Sequence, residues 1–78
     1  MNAMIENIER LHTTESGLER ISRNLSIPAD SAMERCRQMI LDPAAAIERR
    51  GKNWYVTAGG CTLTVNAYSL TVITAHKE

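Results

Sequence analysis

This 78-residue chain contains two histidines and several cationic side chains whose chemistry could serve catalysis. Cleaving RNA without a metal needs a base for the 2′-hydroxyl, an acid for the leaving oxygen and a cation for the phosphorane. His12 precedes a predicted helix and His76 ends the last predicted strand, so both are expected at one edge of a sheet. Each is equally explained without chemistry, His12 as a loop or capping residue and His76 as a solvated strand end. The residues that a nuclease would use are His12, Arg20, Lys52 and His76.

A second group of side chains has the chemistry of a binding surface. Tyr55 is a large amphipathic ring that can stack on a base or contact a peptide. The alternative is that the threonines near it reflect strand propensity and cross-strand pairing, which is worth about 0.2–1 kcal/mol per pair. The basic residues of the hairpin can likewise serve only to blunt an edge strand, and Arg49 can stack on Trp54. The predicted binding residues are Arg49, Arg50, Lys52, Tyr55, Thr64, Asn66 and Thr71.

Sequence motifs of recognised enzymes are absent from the chain. It contains no glycine-rich phosphate loop, HExxH, GxSxG or paired-carboxylate motif. Cys36 and Cys61 have no metal-ligand spacing, so we expect buried, reduced thiols and no metal or cofactor. No apolar run reaches the roughly 20 residues that span a bilayer, and no secretory segment is visible. A cytoplasmic protein that does not enter membranes is predicted.

Charge is balanced overall but divided unevenly along the chain. Nine basic and nine acidic side chains cancel, which gives the whole molecule no electrostatic preference for nucleic acid or membranes. Residues 1–48 carry five basic and eight acidic side chains, a net −3, whereas residues 49–78 carry four and one, a net +3. This division permits an anionic partner on the C-terminal half, although a chain this short can show it by chance.

The N-terminal half is predicted to be helical. Apolar residues between positions 4 and 11 have helical spacing, and Thr13 or Thr14 is expected to cap a further helix, SGLERISRNL. Whether these two helices are continuous stays open. The next helix is predicted to run from Pro28 or Ala29 to Leu41.

The C-terminal half predicts an antiparallel meander. Gly59-Gly60 suits a type I′ turn, which places Trp54 opposite Val65 and Tyr55 opposite Thr64. The turn through Gly51-Lys52 pairs Ile47 with Val56 and Arg49 with Trp54. A short loop around Ala67-Tyr68 places Leu70 opposite Val65 and Val72 opposite Leu63. The predicted strands are Ala46–Arg50, Asn53–Thr57, Cys61–Asn66 and Ser69–Ala75.

These elements predict one α+β domain over residues 1–78. Two or three N-terminal helices pack on one face of a C-terminal four-stranded antiparallel β-meander. Thr74 is expected on the core face near Cys61. The opposite face is expected to be open and to carry Tyr55, Thr57, Thr62, Thr64, Asn66, Thr71 and Ile73.

The chain as a whole resembles a small family of uncharacterised bacterial domains that is common in gut Firmicutes and their mobile elements. The most specific segments of the resemblance are HTTESGLERI and GKNWYVTAGGCTLTVNAYSLTVITAHK. More distantly, the order of helices and meander is similar to the RelE/BrnT-type ribonuclease toxins. That resemblance matches Glu19-Arg20 to a helical Glu-Arg pair and Val72–His76 to the terminal strand, and it implies metal-independent RNA cleavage. Where those relatives place a histidine, this chain has Ser16.

Three functions follow from these observations as hypotheses. The first is a non-catalytic protein- or RNA-interaction module, associated with a mobile element, that binds through the Tyr55 face or the basic hairpin. The second is a RelE/BrnT-like ribonuclease toxin. The third is a homodimer that buries Tyr55 and Ile73 against a second copy.

Overall fold

The computed structural model describes residues 2–77, in which helices precede a four-stranded antiparallel sheet with the strand order β1-β2-β3-β4. The predicted α+β arrangement is confirmed. A single 3₁₀ turn, Ile8–Arg10, follows the first helix. The elements are α1 (Ala3–Glu6), α2 (Glu15–Leu25), α3 (Ala29–Leu41), β1 (Ala46–Arg50), β2 (Asn53–Ala58), β3 (Cys61–Asn66) and β4 (Val72–Lys77).

The first two helices are separate, which answers the question that the sequence left open. Extended residues lie between the 3₁₀ turn and α2, and Thr14 has the β conformation of an N-cap. Its Oγ1 accepts a hydrogen bond from the N–H of Gly17 at 3.0 Å. This bond satisfies one of the amide groups that the first turn of a helix leaves without a partner. Ser26, at a φ of 57°, ends α2 in the left-handed conformation.

The first two hairpins have the predicted registers. Trp54 pairs with Val65 and Tyr55 with Thr64, while Arg49 pairs with Trp54 across the first hairpin. In the second turn Gly59 and Gly60 both have positive φ, at 57° and 75°, as a type I′ turn requires.

The predicted register of the third hairpin is wrong. Val65 pairs with Val72 rather than Leu70, and Leu63 pairs with Ala75. The loop is longer than predicted because Asn66 folds it locally: its Oδ1 accepts the N–H groups of Tyr68 at 2.9 Å and Ser69 at 3.0 Å. Leu70 then takes a φ of 59° and is buried in the core.

A bulge beyond this loop changes which β4 side chains reach the open face. Ile73 is the extra residue, because Val72 pairs with Val65 and Thr74 already pairs with Thr64. Thr74 therefore lies beside Thr64 on the open face, and its predicted place on the core face is wrong.

The core lies between the helices and one face of the sheet. Helix α2 lies along β4, and α3 contacts both α2 and β2. Helix α2 buries Ile21 and Leu25 against the sheet and α3. The largest fully buried side chains are Met4, Ile21, Ile40, Leu63, Val56, Val65, Val72 and Cys36.

Candidate functional site

A shallow concavity lies on the sheet face that the helices leave open. Its volume is about 420 Å³, and strands β1, β2, β3 and β4 each contribute to its lining. Side chains of alternate strand residues point to the same face, so the confirmed registers bring them together. The lining residues are Ala46, Glu48, Arg50, Tyr55, Thr57, Thr62, Thr64 and His76.

The Tyr55 ring and the Arg50 guanidinium form the most specific contact of this concavity. The guanidinium carbon lies 4.3 Å from the centre of the ring, which is the arrangement of a cation–π pair. Arg50 Nε also lies 3.4 Å from Glu48 Oε1, and both of these side chains are largely exposed. The predicted binding residues Arg50 and Tyr55 therefore share one site.

Two threonine pairs form the middle of the open face. Thr57 pairs with Thr62 across β2 and β3, and Thr64 pairs with Thr74 across β3 and β4. Thr64 is only 8% exposed, so it forms part of the floor. Thr57 is exposed and Thr62 half-buried, so their hydroxyls are the more accessible ones.

One buried acceptor on this side of the sheet has no hydrogen-bond partner. Asn53 pairs with Arg50 and Asn66 across the sheet, two residues before Tyr55 in β2. Within residues 2–77 its Oδ1 is the buried side-chain oxygen or nitrogen without a partner. A buried acceptor without a partner lowers the stability of the folded state by about 1–3 kcal/mol. This one belongs to a residue that lies beside the Arg50–Tyr55 pair.

Arg49 lies with a second aromatic cluster on the helix-covered face. Its guanidinium carbon is 5.4 Å from the centres of both the Trp54 and Tyr68 rings. Its Nη2 donates to the Tyr68 hydroxyl at 3.3 Å and its Nε to the Gly51 carbonyl at 2.9 Å. The stacking of Arg49 on Trp54, which the sequence offered as the alternative to a binding role, is observed, and Arg49 does not line the concavity.

His12 belongs to a hydrogen-bonded chain at the start of β4. Its Nδ1 lies 2.8 Å from the Arg10 carbonyl, so Nδ1 carries the proton, and its Nε2 lies 3.0 Å from Thr71 Oγ1. Thr71 Oγ1 lies 2.8 Å from Ser69 Oγ, which lies 3.2 Å from Asn66 Oδ1. The predicted binding residues Asn66 and Thr71 thus hold the β3–β4 loop rather than line the concavity.

The predicted nuclease residues do not converge. His12 forms a bridge with Thr71, just before β4, whereas His76 pairs with Thr62 near the end of that strand. Both histidines therefore lie along the β4 edge of the sheet, as predicted, but about five residues of strand, or roughly 16 Å, separate the two positions. Arg20 Nη1 donates to the Ile73 carbonyl at 3.3 Å, and Lys52 lies in the exposed β1–β2 turn. Of the four, only His76 lines the concavity.

The two thiols lie away from this chemistry. Cys36 and Cys61 are free and buried. Burial raises the pKa of the Cys36 thiol to about 11, and the nearby Arg37 opposes the shift only in part. Cys36 is therefore protonated at neutral pH and is a poor nucleophile. No cluster of three or more His, Cys, Asp or Glu side chains suited to a metal ion occurs within residues 2–77.

Sequence reasoning predicted Arg50 but missed the two other residues of β1 that line the site. Ala46 and Glu48 line the concavity beside Arg50. A signal for them was present, because the Gly51-Lys52 turn pairs Glu48 with Tyr55. Every second residue of β1 must then share the face of Tyr55.

A model of one protein family matches residues 5–76, and its description reads "Protein of unknown function (DUF3781)". The match includes every element that forms the concavity. No curated protein and no solved structure gives a significant match. In the part of the chain that the structure describes, no helix has both the length and the apolar character needed to cross a bilayer.

Proposed function

We propose that this chain, which belongs to the DUF3781 family, is a non-catalytic module that binds single-stranded RNA on the open face of its sheet. The observation that carries the proposal is the Arg50–Tyr55 pair, at 4.3 Å, inside a concavity that all four strands line. An aromatic ring on an antiparallel sheet gives a base a surface for stacking, and an adjacent guanidinium gives its phosphate a partner.

The lining chemistry favours nucleic acid over a protein partner. The centre of a protein interface is apolar and contains aromatic anchors that are fully desolvated on binding. Here Ala46 is the one aliphatic residue among the described lining residues, and hydroxyl, guanidinium, imidazole and carboxylate groups surround Tyr55. Hydroxyls and guanidinium groups are the side chains that contact phosphate and sugar.

The size and charge of the concavity favour a short single strand. A depression of about 420 Å³ with one stacking ring accommodates an unpaired base, whereas a duplex keeps its bases stacked inside. Arg50 is the one guanidinium group and His76 the one imidazole among the described lining residues, and Glu48 partly offsets the charge of Arg50. Affinity is therefore expected to be weak and to rest more on stacking than on charge.

The test is fluorescence anisotropy with a short labelled oligouridine. Tyr55→Leu is expected to weaken binding by about five- to 150-fold, since stacking of a base on an aromatic ring is worth about 1–3 kcal/mol. Arg50→Gln is expected to weaken binding several-fold and to make the salt dependence shallower by about 0.7, the value of one phosphate contact to a single strand.

The second aromatic cluster provides matched controls. Tyr68→Leu and Arg49→Gln remove the same side-chain types from the opposite face, where Arg49 lies between Trp54 and Tyr68. Both control variants are expected to bind RNA as the unaltered chain does. Equal losses in all four variants, or no binding by the unaltered chain, would exclude the open face as an RNA site.

The same mixtures separate binding from cleavage. The RNA is expected to stay intact in the absence of metal, because the two histidines lie at opposite ends of β4. Fragmentation that His76→Ala abolishes would replace the binding proposal with a ribonuclease. A homodimer that buries Tyr55 would instead show a doubled mass in sedimentation together with loss of RNA binding. Association with a mobile element and a cytoplasmic location stay predictions.

A further inference from the structure

We propose that the outer edge of β1 accepts an added β-strand from an acidic partner protein. This site is distinct from the RNA site proposed above, because it consists of backbone groups at the sheet edge rather than side chains on its face. Backbone hydrogen bonds would supply the affinity of such a complex, and the charges of the hairpin would select the partner.

The backbone of β1 offers its hydrogen-bonding groups at two positions. Arg50 and Asn53 flank a two-residue turn in which Gly51 has a φ of 57°, and residues that flank such a turn form a hydrogen-bonded pair. Hydrogen-bonded pairs alternate along an antiparallel ladder. Ile47 and Arg49 therefore direct their N–H and C=O groups away from β2.

These outward groups are uncovered in the folded chain. Within residues 2–77 no backbone or side-chain hydrogen bond reaches the outer side of β1. Ala46, Glu48, Arg49 and Arg50 are all exposed. An extended segment can therefore approach along the whole strand without displacing any element of the fold.

Charge selects an acidic occupant. Arg49 and Arg50 project to opposite faces of the sheet, and Lys52 follows in the turn. Glu48 is the single acidic residue of the strand, so the hairpin edge carries three positive charges against one negative charge. An added strand with carboxylates on either face would find an arginine beside it, since opposite charges across neighbouring strands stabilise their pairing.

The same charges disfavour a second copy of this chain as the occupant. Antiparallel pairing of two β1 strands over their full length places two Glu48 carboxylates opposite each other. A shift by one residue pair toward the turn places two Arg49 guanidinium groups opposite each other, and only the shift in the other direction, which pairs Ile47 with Ile47, avoids like charges. Like charges directly opposite one another destabilise a strand pair.

The experiment uses the full chain and a synthetic peptide of alternating glutamate and valine, blocked at both ends. Hydrogen exchange followed by NMR is expected to show fast exchange of the Ile47 and Arg49 amides in the free protein and slow exchange after peptide addition. The Glu48 amide, which bonds to β2, is expected to be protected in both states.

Two N-methylated forms of the peptide distinguish strand addition from simple charge attraction. One form is methylated on alternate amides, which leaves one hydrogen-bonding edge free, and the other on every amide, so both have the same charge. The first form is expected to bind as the parent does and the second to lose binding about tenfold or more, because methylation of every amide removes the donors that face β1. Equal binding of the two forms would overturn strand addition.

Charge variants and an oligomer assay complete the test. Arg49→Gln and Arg50→Gln are each expected to weaken peptide binding by about two- to fivefold, and Glu48→Gln to tighten it by about twofold, the range of exposed charge pairs. A peptide of alternating lysine and valine is expected not to bind. Unchanged Ile47 and Arg49 exchange, equal binding of the lysine peptide, or a dimer of the free chain in sedimentation would each overturn the proposal.

Discussion

The two edge strands of the sheet are protected in opposite ways. The β4 edge is covered by distant parts of the chain: Thr13 Oγ1 donates to the Val72 carbonyl at 2.8 Å, and Asn24 Nδ2 donates to the Ala75 carbonyl at 3.0 Å. Arg20 donates to the carbonyl between them. At the start of the strand, the backbone N–H of His12 donates to the Leu70 carbonyl at 3.1 Å, and its backbone carbonyl accepts from the Val72 N–H at 2.7 Å. The β1 edge has no such cover among the described residues.

The composition of each edge strand explains its protection. Strand β4 reads VITAHK and contains four apolar or β-branched residues in succession, a pattern that pairs readily with other chains when it is exposed. Strand β1 reads AIERR and carries three charged residues, which discourage unspecific pairing without any cover. Cover by a helix closes an edge completely, whereas charges leave it open to a partner of the opposite sign. This difference is the physical basis of the strand-addition proposal.

Gly17→Ala is the substitution that is expected to disturb the covered edge most. Gly17 is buried in the first turn of α2, and a Cβ there would overlap Thr13 Oγ1 and lie 3.2 Å from Thr14 Oγ1 and 3.5 Å from the Val72 carbonyl. The added methyl group would displace the Thr13 side chain and break its hydrogen bond to the Val72 carbonyl. We expect the free energy of unfolding to fall by about 1–3 kcal/mol, the usual cost of overpacking, in urea denaturation.

Its neighbour Ser16 provides the control for this variant. Ser16 is exposed in the same turn, so Ser16→Ala is expected to change the free energy of unfolding by less than about 0.5 kcal/mol. A Gly17→Ala variant as stable as the unaltered chain would show that the Thr13 side chain can move away at little cost.

A smaller effect is expected from Thr13→Val. The substitution keeps the shape of the side chain and removes the hydroxyl that donates to the Val72 carbonyl. Since this carbonyl is partly buried, we expect a loss of about 1 kcal/mol in the free energy of unfolding. Hydrogen exchange of the β4 amides is expected to accelerate about fivefold, the change in the opening equilibrium that about 1 kcal/mol produces. Thr13→Ser keeps the donor and is expected to retain most of the stability; an equal loss in the serine variant would assign the effect to packing instead.

Much of this fold follows from short-range sequence signals, and the exceptions have a common cause. An N-cap at Thr13 or Thr14 and a type I′ turn at Gly59-Gly60 were predicted from local chemistry, and both are confirmed, with Thr14 as the cap. The third hairpin was not predicted, because the loop length there depends on hydrogen bonds of the Asn66 side chain and on the left-handed φ of Leu70. The pattern of apolar residues alone indicates neither these hydrogen bonds nor this φ value.

The candidate site was predicted only where it depends on strand parity. Tyr55 and Arg50 lie together because parity within β2 and across its turn fixes their face. The two histidines were predicted together and lie apart, because their relative position depends on where β4 begins and on the bridge between His12 and Thr71. That bridge joins residues far apart in sequence, so no local pattern indicates it.

The smallest effect on stability is expected at the uncovered edge, from Glu48→Gln. The Glu48–Arg50 pair has a separation of 3.4 Å, and its side chains are 66% and 64% exposed. Exposed pairs of this kind contribute about 0–1 kcal/mol and are screened by salt. We therefore expect the free energy of unfolding to change by less than about 0.5 kcal/mol in urea denaturation, with Glu34→Gln, an exposed position on α3, as the matched control. A loss above about 1 kcal/mol in Glu48→Gln alone would mean that the pair fixes the conformation of β1. Both edges would then be held by specific side-chain contacts. They would differ in the kind of contact rather than in the accessibility of their backbone groups.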